Sequence, residues 1–543
     1  MESSKRSLST LAVAIPDIKR VPGLAETELQ RDNPSAKQLT NILTTRRQFL
    51  KTAAGTGALF GLTDLGFLSR LRPVSAAEAK LEPDIVRFRP EIEPLVRFLE
   101  DTPRERLLEE VGAKIKRGLS YRDLLAALLL AGVRNIQPRP VGFKFHAVLV
   151  VNSAHLASLA SPDAERWLPI FWALDYFKSS QAQDVKEGDW TMRAVDESKV
   201  PTARKAKQAF IEAMESWDET AADAAVIGLV RSAGAQEIFE LFGRYCARDF
   251  RELGHKAIYT ANSWRTLQCI GWQHAEPVLR SLAYALLDRT GDANPSKNDL
   301  PADRPGRRNL ESREKIRADW LDGKADTEAL TGMLQVVRQG SAVDTSQKVI
   351  ELLNRGVAPQ SIWDALFNGA GELLMREPGI RSLHAVTCTN ALHFAWQHCS
   401  NDATRRYLLL QNAAFLPLFR GNSKEKVRIE DLQDTPLKAS GSQALEEIFA
   451  EISTDRMSAA RKLLTWLKQN PQPKEFVDAA RVLIFLKGRD AHDYKFSSAV
   501  LEDYHHVSPA WRDRYLAASV FNLRGSGDSN NGLVKRARAA LQG

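Results

Sequence analysis

Four histidines head recurring phrases in this chain: His146 in FKFHAVLVVNSAH, His255 in GHKAIYTANSW, His384 in SLHAVTCTNALH and His492 in AHDYKFSSAVL. Imidazole is the commonest metal ligand in proteins and suits zinc, copper or iron. Four of them brought together would make a catalytic metal or haem site. The competing reading is packing, in which each His opens a buried helix and fixes it by hydrogen bonds. No close ligand spacing decides between the two, because the four residues lie far apart in the chain. Asn152 and Asn390 each follow a leading His by six residues and are candidate cofactor-binding residues. A buried amide there needs partners, which a neighbouring imidazole or a backbone carbonyl provides. His155 and His393 come nine residues after the leading His. At about 100° per residue they point to the opposite side of a helix, so a surface or interhelical hydrogen bond is expected of them. The WQH triplets at Trp272–His274 and Trp396–His398 stand in non-equivalent positions.

The elements that position these residues repeat. Set against each other at an offset of 238, the segments from Arg117 and Arg355 coincide without gaps at Arg117/Arg355, Gly118/Gly356, Ala127/Ala365, Leu128/Leu366, Pro140/Pro378, His146/His384, Asn152/Asn390 and His155/His393. An offset of 237 continues downstream through Ala222/Ala459, Phe239/Phe476, Arg244/Arg481 and His255/His492. The spacing predicts two halves of about 240 residues, each with two His-led units. If the halves pack about a pseudo-twofold axis, His146 becomes equivalent to His384 and His255 to His492.

Taken alone, HAVLVV has the β-branched composition of a strand. Its counterpart HAVTCTNALHFAW and the phrase HKAIYTANSWRTLQCIGW carry Ala, Leu and aromatics at helical intervals instead. Ser120 is placed as an N-cap before YRDLLAALLLAG, and Pro359 stands where a first helical residue belongs. The apolar sets Val226, Ile227, Val230 and Leu463, Leu464, Leu467 keep helical spacing. An all-α, duplicated helical-repeat array is expected, with residues 1–76 as a leader, 80–318 as the first half with its linker and 319–543 as the second. Residues 287–311, rich in Pro, Gly, Asp and Asn, read as that linker. Residues 181–201 and 421–442 read as long loops, and 524–532 as a turn before a last basic helix.

The N-terminal region reads TTRRQFLKTAAGTGALFGLTDLGFLSRLRPVSAAEA. With Arg46 and Arg47 as the pair, it resembles a twin-arginine export signal followed by small-residue cleavage patterns. That resemblance implies the twin-arginine translocation machinery as a partner and a periplasmic or secreted destination. The apolar run is shorter and more polar than the ~20 residues a spanning helix needs, so no stable membrane insertion is expected after cleavage. Residues 1–76 carry 11 Lys and Arg against 6 Asp and Glu, so about +3 of the formal +8 stays with the remainder. This balance gives no indication of nucleic-acid binding. The four cysteines, Cys246, Cys269, Cys388 and Cys399, show neither CxxC nor zinc spacing. A passenger folded before export keeps free thiols as readily as it forms bridges.

Standard catalytic signatures are missing: HExxH, a P-loop and a GxSxG elbow do not occur. The glycine-rich GTGALFG lies inside the export-like segment, and GAGELL lacks the third glycine and a preceding strand. The phrase of an apolar residue, His, a small residue, Val and then Asn or Ser, in a long helical chain, resembles the questin oxidase-like proteins over most of residues 100–543. The resemblance implies an α-helical oxygenase acting on an aromatic or polycyclic small molecule, with NADPH as cofactor and His146, His255, His384 and His492 as the catalytic positions. AHDYKFSSAVL departs from the phrase by lacking the Val and Asn. Three function classes therefore compete: an exported oxidoreductase with iron or another His-ligated metal, a non-enzymatic α-solenoid scaffold of the cell envelope, and a metal-dependent hydrolase. Convergence of the four histidines on one enclosed polar site favours chemistry, whereas dispersal along an open face favours a scaffold.

Overall fold

The side chain of Ser120 accepts a hydrogen bond from the Asp123 amide (3.1 Å) and opens the helix Tyr121–Asn135. Its counterpart, Pro359–Arg376, starts on the proline whose missing N–H the first turn does not need. Each is preceded by a helix that stops at a glycine with positive φ, Gly118 at 97° and Gly356 at 87°. There the amides of Leu119 and Val357 reach back to the carbonyls of Lys114 and Leu352, both at 3.0 Å. Only a residue without Cβ adopts that closing conformation freely, which accounts for glycine at both positions.

A computed structural model describes residues 85–289, 294, 299–421 and 426–542. The export-like segment and the leader 1–76 lie outside the described residues. Among those residues the protein is all-α, with 23 α-helices; β-pairing is confined to the isolated bridges Ile85–Arg193 and Lys324–Val357. No described helix is long and apolar enough to cross a membrane. From Glu82 onward the chain forms one compact unit. The helices Arg104–Lys116 and Ala342–Asn354 begin and end 238 residues apart, and the helices Tyr121–Asn135 and Pro359–Arg376 begin 238 apart. The helices Glu219–Val230 and Arg456–Gln469 begin 237 apart.

HAVLVVNSAH is helical throughout. His146–Leu149 and Val151–Ala160 are joined at Val150, whose own backbone is right-handed helical (φ −85°, ψ −11°). The counterpart Ile380–His398 is buried on nearly every side, because helices His255–Ile270, Pro359–Arg376, Asp402–Phe419 and Ala491–Asp503 pack around it. A helix enclosed in this way needs apolar or paired residues all round, and LHAVTCTNALHFA supplies them.

Two loop expectations need correction. The segment 287–311 contains most of a helix, Arg304–Ser312, with Pro305 in its first turn. Its polar composition conceals burial: Asn309 is fully buried and donates to the Leu410 carbonyl (3.2 Å), while Asp303 forms a buried ion pair with Arg251 (2.9 Å). Likewise residues 181–187 finish the helix Leu168–Glu187. Asp184 turns inward there, accepting from the amides of Gln137 (2.9 Å) and Trp190 (2.8 Å) and pairing with Lys144 (2.7 Å).

Candidate metal centre

Three of the four leading histidines are aimed by their own backbone. The Nδ1 of His146 is 2.8 Å from the Phe143 carbonyl, that of His255 is 2.6 Å from the Glu252 carbonyl, and that of His384 is 2.6 Å from the Ile380 carbonyl. A carbonyl only accepts, so in all three rings Nδ1 carries the proton and Nε2 presents a lone pair. His146 and His255 stand at helix starts, whereas His384 sits one turn inside its helix, not at the start as the phrase suggests. The outcome is the same, because a carbonyl three or four residues back is within reach of each ring.

The Nε2 atoms meet. That of His255 lies 3.0 Å from Nε2 of His146 and 3.0 Å from Nε2 of His384. His492 completes the group. Its ring centroid is 4.6 Å from that of His146 and 5.3 Å from that of His384, and one ligating nitrogen from each of these three residues falls within 4.8 Å of the others. His146, His255 and His384 are buried; the His492 side chain retains 21% exposure and carries Asp490 at 3.3 Å from its Nδ1. The structure thus brings together all four residues proposed as catalytic and metal-binding.

Lone pairs facing one another at 3.0 Å repel unless a cation lies between them. Metal–imidazole bonds of about 2.0–2.1 Å place neighbouring ligand nitrogens roughly 3.0–3.4 Å apart. The two separations at His255 fall in that range, and the Nδ1–H to carbonyl bonds are the outer-shell contacts that fix a metal-binding tautomer. Burial holds His146, His255 and His384 well below the ordinary imidazole range, and the positive charge of Lys495 lowers all three further. They are neutral, the form that binds metals.

Lys495 is the residue that spacing did not reveal. It lies one turn after His492, is 2% exposed, and places Nζ 3.3 Å from His255 Nε2. Burial pushes its ammonium down to about 7, with Asp490 opposing. The signal available in the sequence was a lysine inside the otherwise core-like run DYKFSSAVL. Asp490 is itself pushed down to about 2, chiefly by its hydrogen bond with His492.

The backbone leading into His255 is strained. Glu252, Leu253 and Gly254 all have positive φ, at 56°, 52° and 81°, and this turn delivers the Glu252 carbonyl to the imidazole. A Cβ on Gly254 would meet Cys388 Sγ at 2.5 Å. Gly254→Ala is therefore expected to destabilise the fold by about 2–4 kcal/mol, the combined effect of a left-handed non-glycine residue and an overpacked core. Urea denaturation tests this, and wild-type stability in the variant would contradict it.

Asn390 has other partners than an imidazole or a carbonyl. Its Nδ2 donates to Glu502 Oε2 and Asp503 Oδ1, both at 2.7 Å, and its Oδ1 accepts from Arg265 at 3.2 Å. Six residues turn the chain about 600° and advance it about 9 Å, so this amide belongs to a polar layer further along the same helices. Burial raises the Asp503 carboxyl well above its usual range, and Tyr515 donates to it (2.9 Å). Asn152 is buried on the helix Val151–Ala160. His155 makes an interhelical hydrogen bond to Tyr121 (3.0 Å), while His393 packs among the rings of Trp363, Phe367 and His506. His398 stacks on Phe394 (3.8 Å) and Trp272 packs on Trp264 (5.1 Å). All four cysteines are free.

The chain matches no protein-family model, no curated protein and no solved structure.

Proposed function

We propose that His146, His255, His384 and His492 bind one transition-metal ion and that the protein is an exported helical oxidoreductase built on a duplicated half. The observation that carries this reading is the convergence of three neutral Nε2 lone pairs at 3.0 Å spacing around His255. The metal is iron or copper, which an all-imidazole donor set suits and which supply the redox chemistry. The matching helix bounds support the duplication, and the twin-arginine-like segment supports export of a protein that receives its cofactor before crossing the membrane. The substrate class remains the one the questin oxidase-like resemblance implies, an aromatic or polycyclic small molecule oxygenated at the expense of NADPH.

One contact favours a second reading. If the Lys495 ammonium donates to His255 Nε2, the cluster is a metal-free polar core in a helical scaffold. Oxygen uptake by iron- or copper-loaded protein, supplied with NADPH and a panel of hydroxylated aromatics, separates the two. Uptake that depends on both the metal and an aromatic substrate is expected. A loaded protein that neither consumes oxygen nor changes its visible spectrum on reduction would remove the oxidoreductase reading.

A further inference from the structure

Four lysines are buried among the described residues, and three are matched by carboxylates. Lys144 pairs with Asp184 (2.7 Å), Lys256 with Asp249 (2.8 Å) and Lys462 with Glu447 (2.9 Å). Lys495 differs: its Nζ makes one polar contact, to an imidazole nitrogen that the other histidines already face. An ammonium has three donors, and once the metal takes the His255 Nε2 lone pair that contact no longer accepts, so the N–H bonds of this buried group serve a ligand at the cluster. The cluster lacks the anion such a group ordinarily requires. The carboxylate whose charge reaches Lys495 is Asp490, and that group is engaged with His492.

Metal binding would sharpen the imbalance. Four imidazoles contribute no charge, so a divalent ion beside the Lys495 ammonium leaves positive charge in excess within a buried site, with Asp490 as the single opposing carboxylate. We infer that the centre takes a small anion as an additional ligand, held between the metal and Lys495, with the ammonium donating to the anion's outer atom. Lys495 is then the residue that selects an anionic ligand over a neutral one. The inference rests on the proposed metal site and adds the chemical class of what binds there.

The test uses the full chain loaded with Cu(II), titrated with azide, and compared with Lys495→Met and Lys495→Gln, metal content being measured on the same samples. Wild type is expected to hold about one copper per chain and to develop an azide-to-copper absorption band, while both variants keep the copper and bind azide at least tenfold more weakly. Equal azide affinity in wild type and in both copper-retaining variants would overturn the role of Lys495. Loss of copper from both folded variants would overturn it too, by making the lysine part of the metal's own support. Wild type that binds no copper would instead defeat the underlying metal reading, and the metal analysis reports that separately.

Discussion

Replacing His146 and His384 together by alanine is expected to reduce bound metal from about one ion per chain to none while the helical fold persists. These two rings supply the Nε2 atoms that flank His255 at 3.0 Å on either side, so their loss leaves His255 and His492 as the remaining imidazoles. Disturbing an outer-shell partner of a metal ligand weakens binding about 10–100-fold; removing two ligands outright should exceed that. Truncating each buried ring also leaves a cavity, and large-to-small core changes usually destabilise by about 2–5 kcal/mol. In the metal-free state part of this loss is offset, because lone-pair repulsion at the cluster disappears with the rings. Metal analysis alongside far-UV circular dichroism reads both effects. His155→Ala is the control: that ring bonds Tyr121 outside the cluster, so the variant should keep its metal. Full metal content in the folded double variant would show that the ion binds elsewhere.

The second large effect is a loss of metal-free stability on acidification. His146, His255, His384 and His393 are all held well below the ordinary imidazole range, with burial the main cause. When the chain unfolds, each regains a pKa near 6.5 and takes up a proton that the folded form refuses. Their contribution is therefore complete above about pH 6.5 and is lost as pH falls from there toward the folded values. Two carboxyls act the other way. Asp503 is raised well above its usual range and Glu252 to about 7, both by burial, so in the same window the folded chain holds protons that the unfolded chain has released. Lys495, lowered to about 7, is protonated in both states below that pH. His155, His274, His505 and His506 are lowered by burial as well and add to the imidazole side, so unfolding takes up protons on balance and stability falls as pH drops below about 6.5. Urea denaturation of chelator-treated protein between pH 7 and 5 checks the slope. A flat profile would mean that the imidazoles are not neutral and buried in solution. Saturating metal should hold the ligands in their unprotonated form and move the loss to lower pH.

The parts of this protein legible in its sequence were those that repeat or punctuate. Ser120, Pro359 and the glycines at 118 and 356 announce helix ends through local chemistry that needs no tertiary context. The four histidines stood out because a rare residue recurred at matched positions, and matched positions in packed helices can face one centre. What could not be read was direction. Asn390 shares the His384 helix yet faces Glu502, Asp503 and Arg265, since rotation along a helix distributes neighbours to different layers. Lys495 occurs in one unit alone, so repetition gave it no emphasis, and only the fold shows that its ammonium enters the cluster without a carboxylate. Arg304–Ser312 was hidden by composition: Arg308 and Asn309 are polar in sequence and held by the distant carbonyls of Ala342 and Leu410, contacts that loop statistics do not anticipate.

The proposed function rests on binding of a single metal ion by the converging imidazoles. X-ray absorption on the metal edge of protein purified after expression with iron and copper available tests it most directly. About one metal per chain is expected, surrounded by three or four nitrogen donors at about 2.0–2.1 Å, with the multiple-scattering pattern of imidazole rings. Metal-free protein, or a metal ligated by oxygen or sulfur without imidazole scattering, would contradict it.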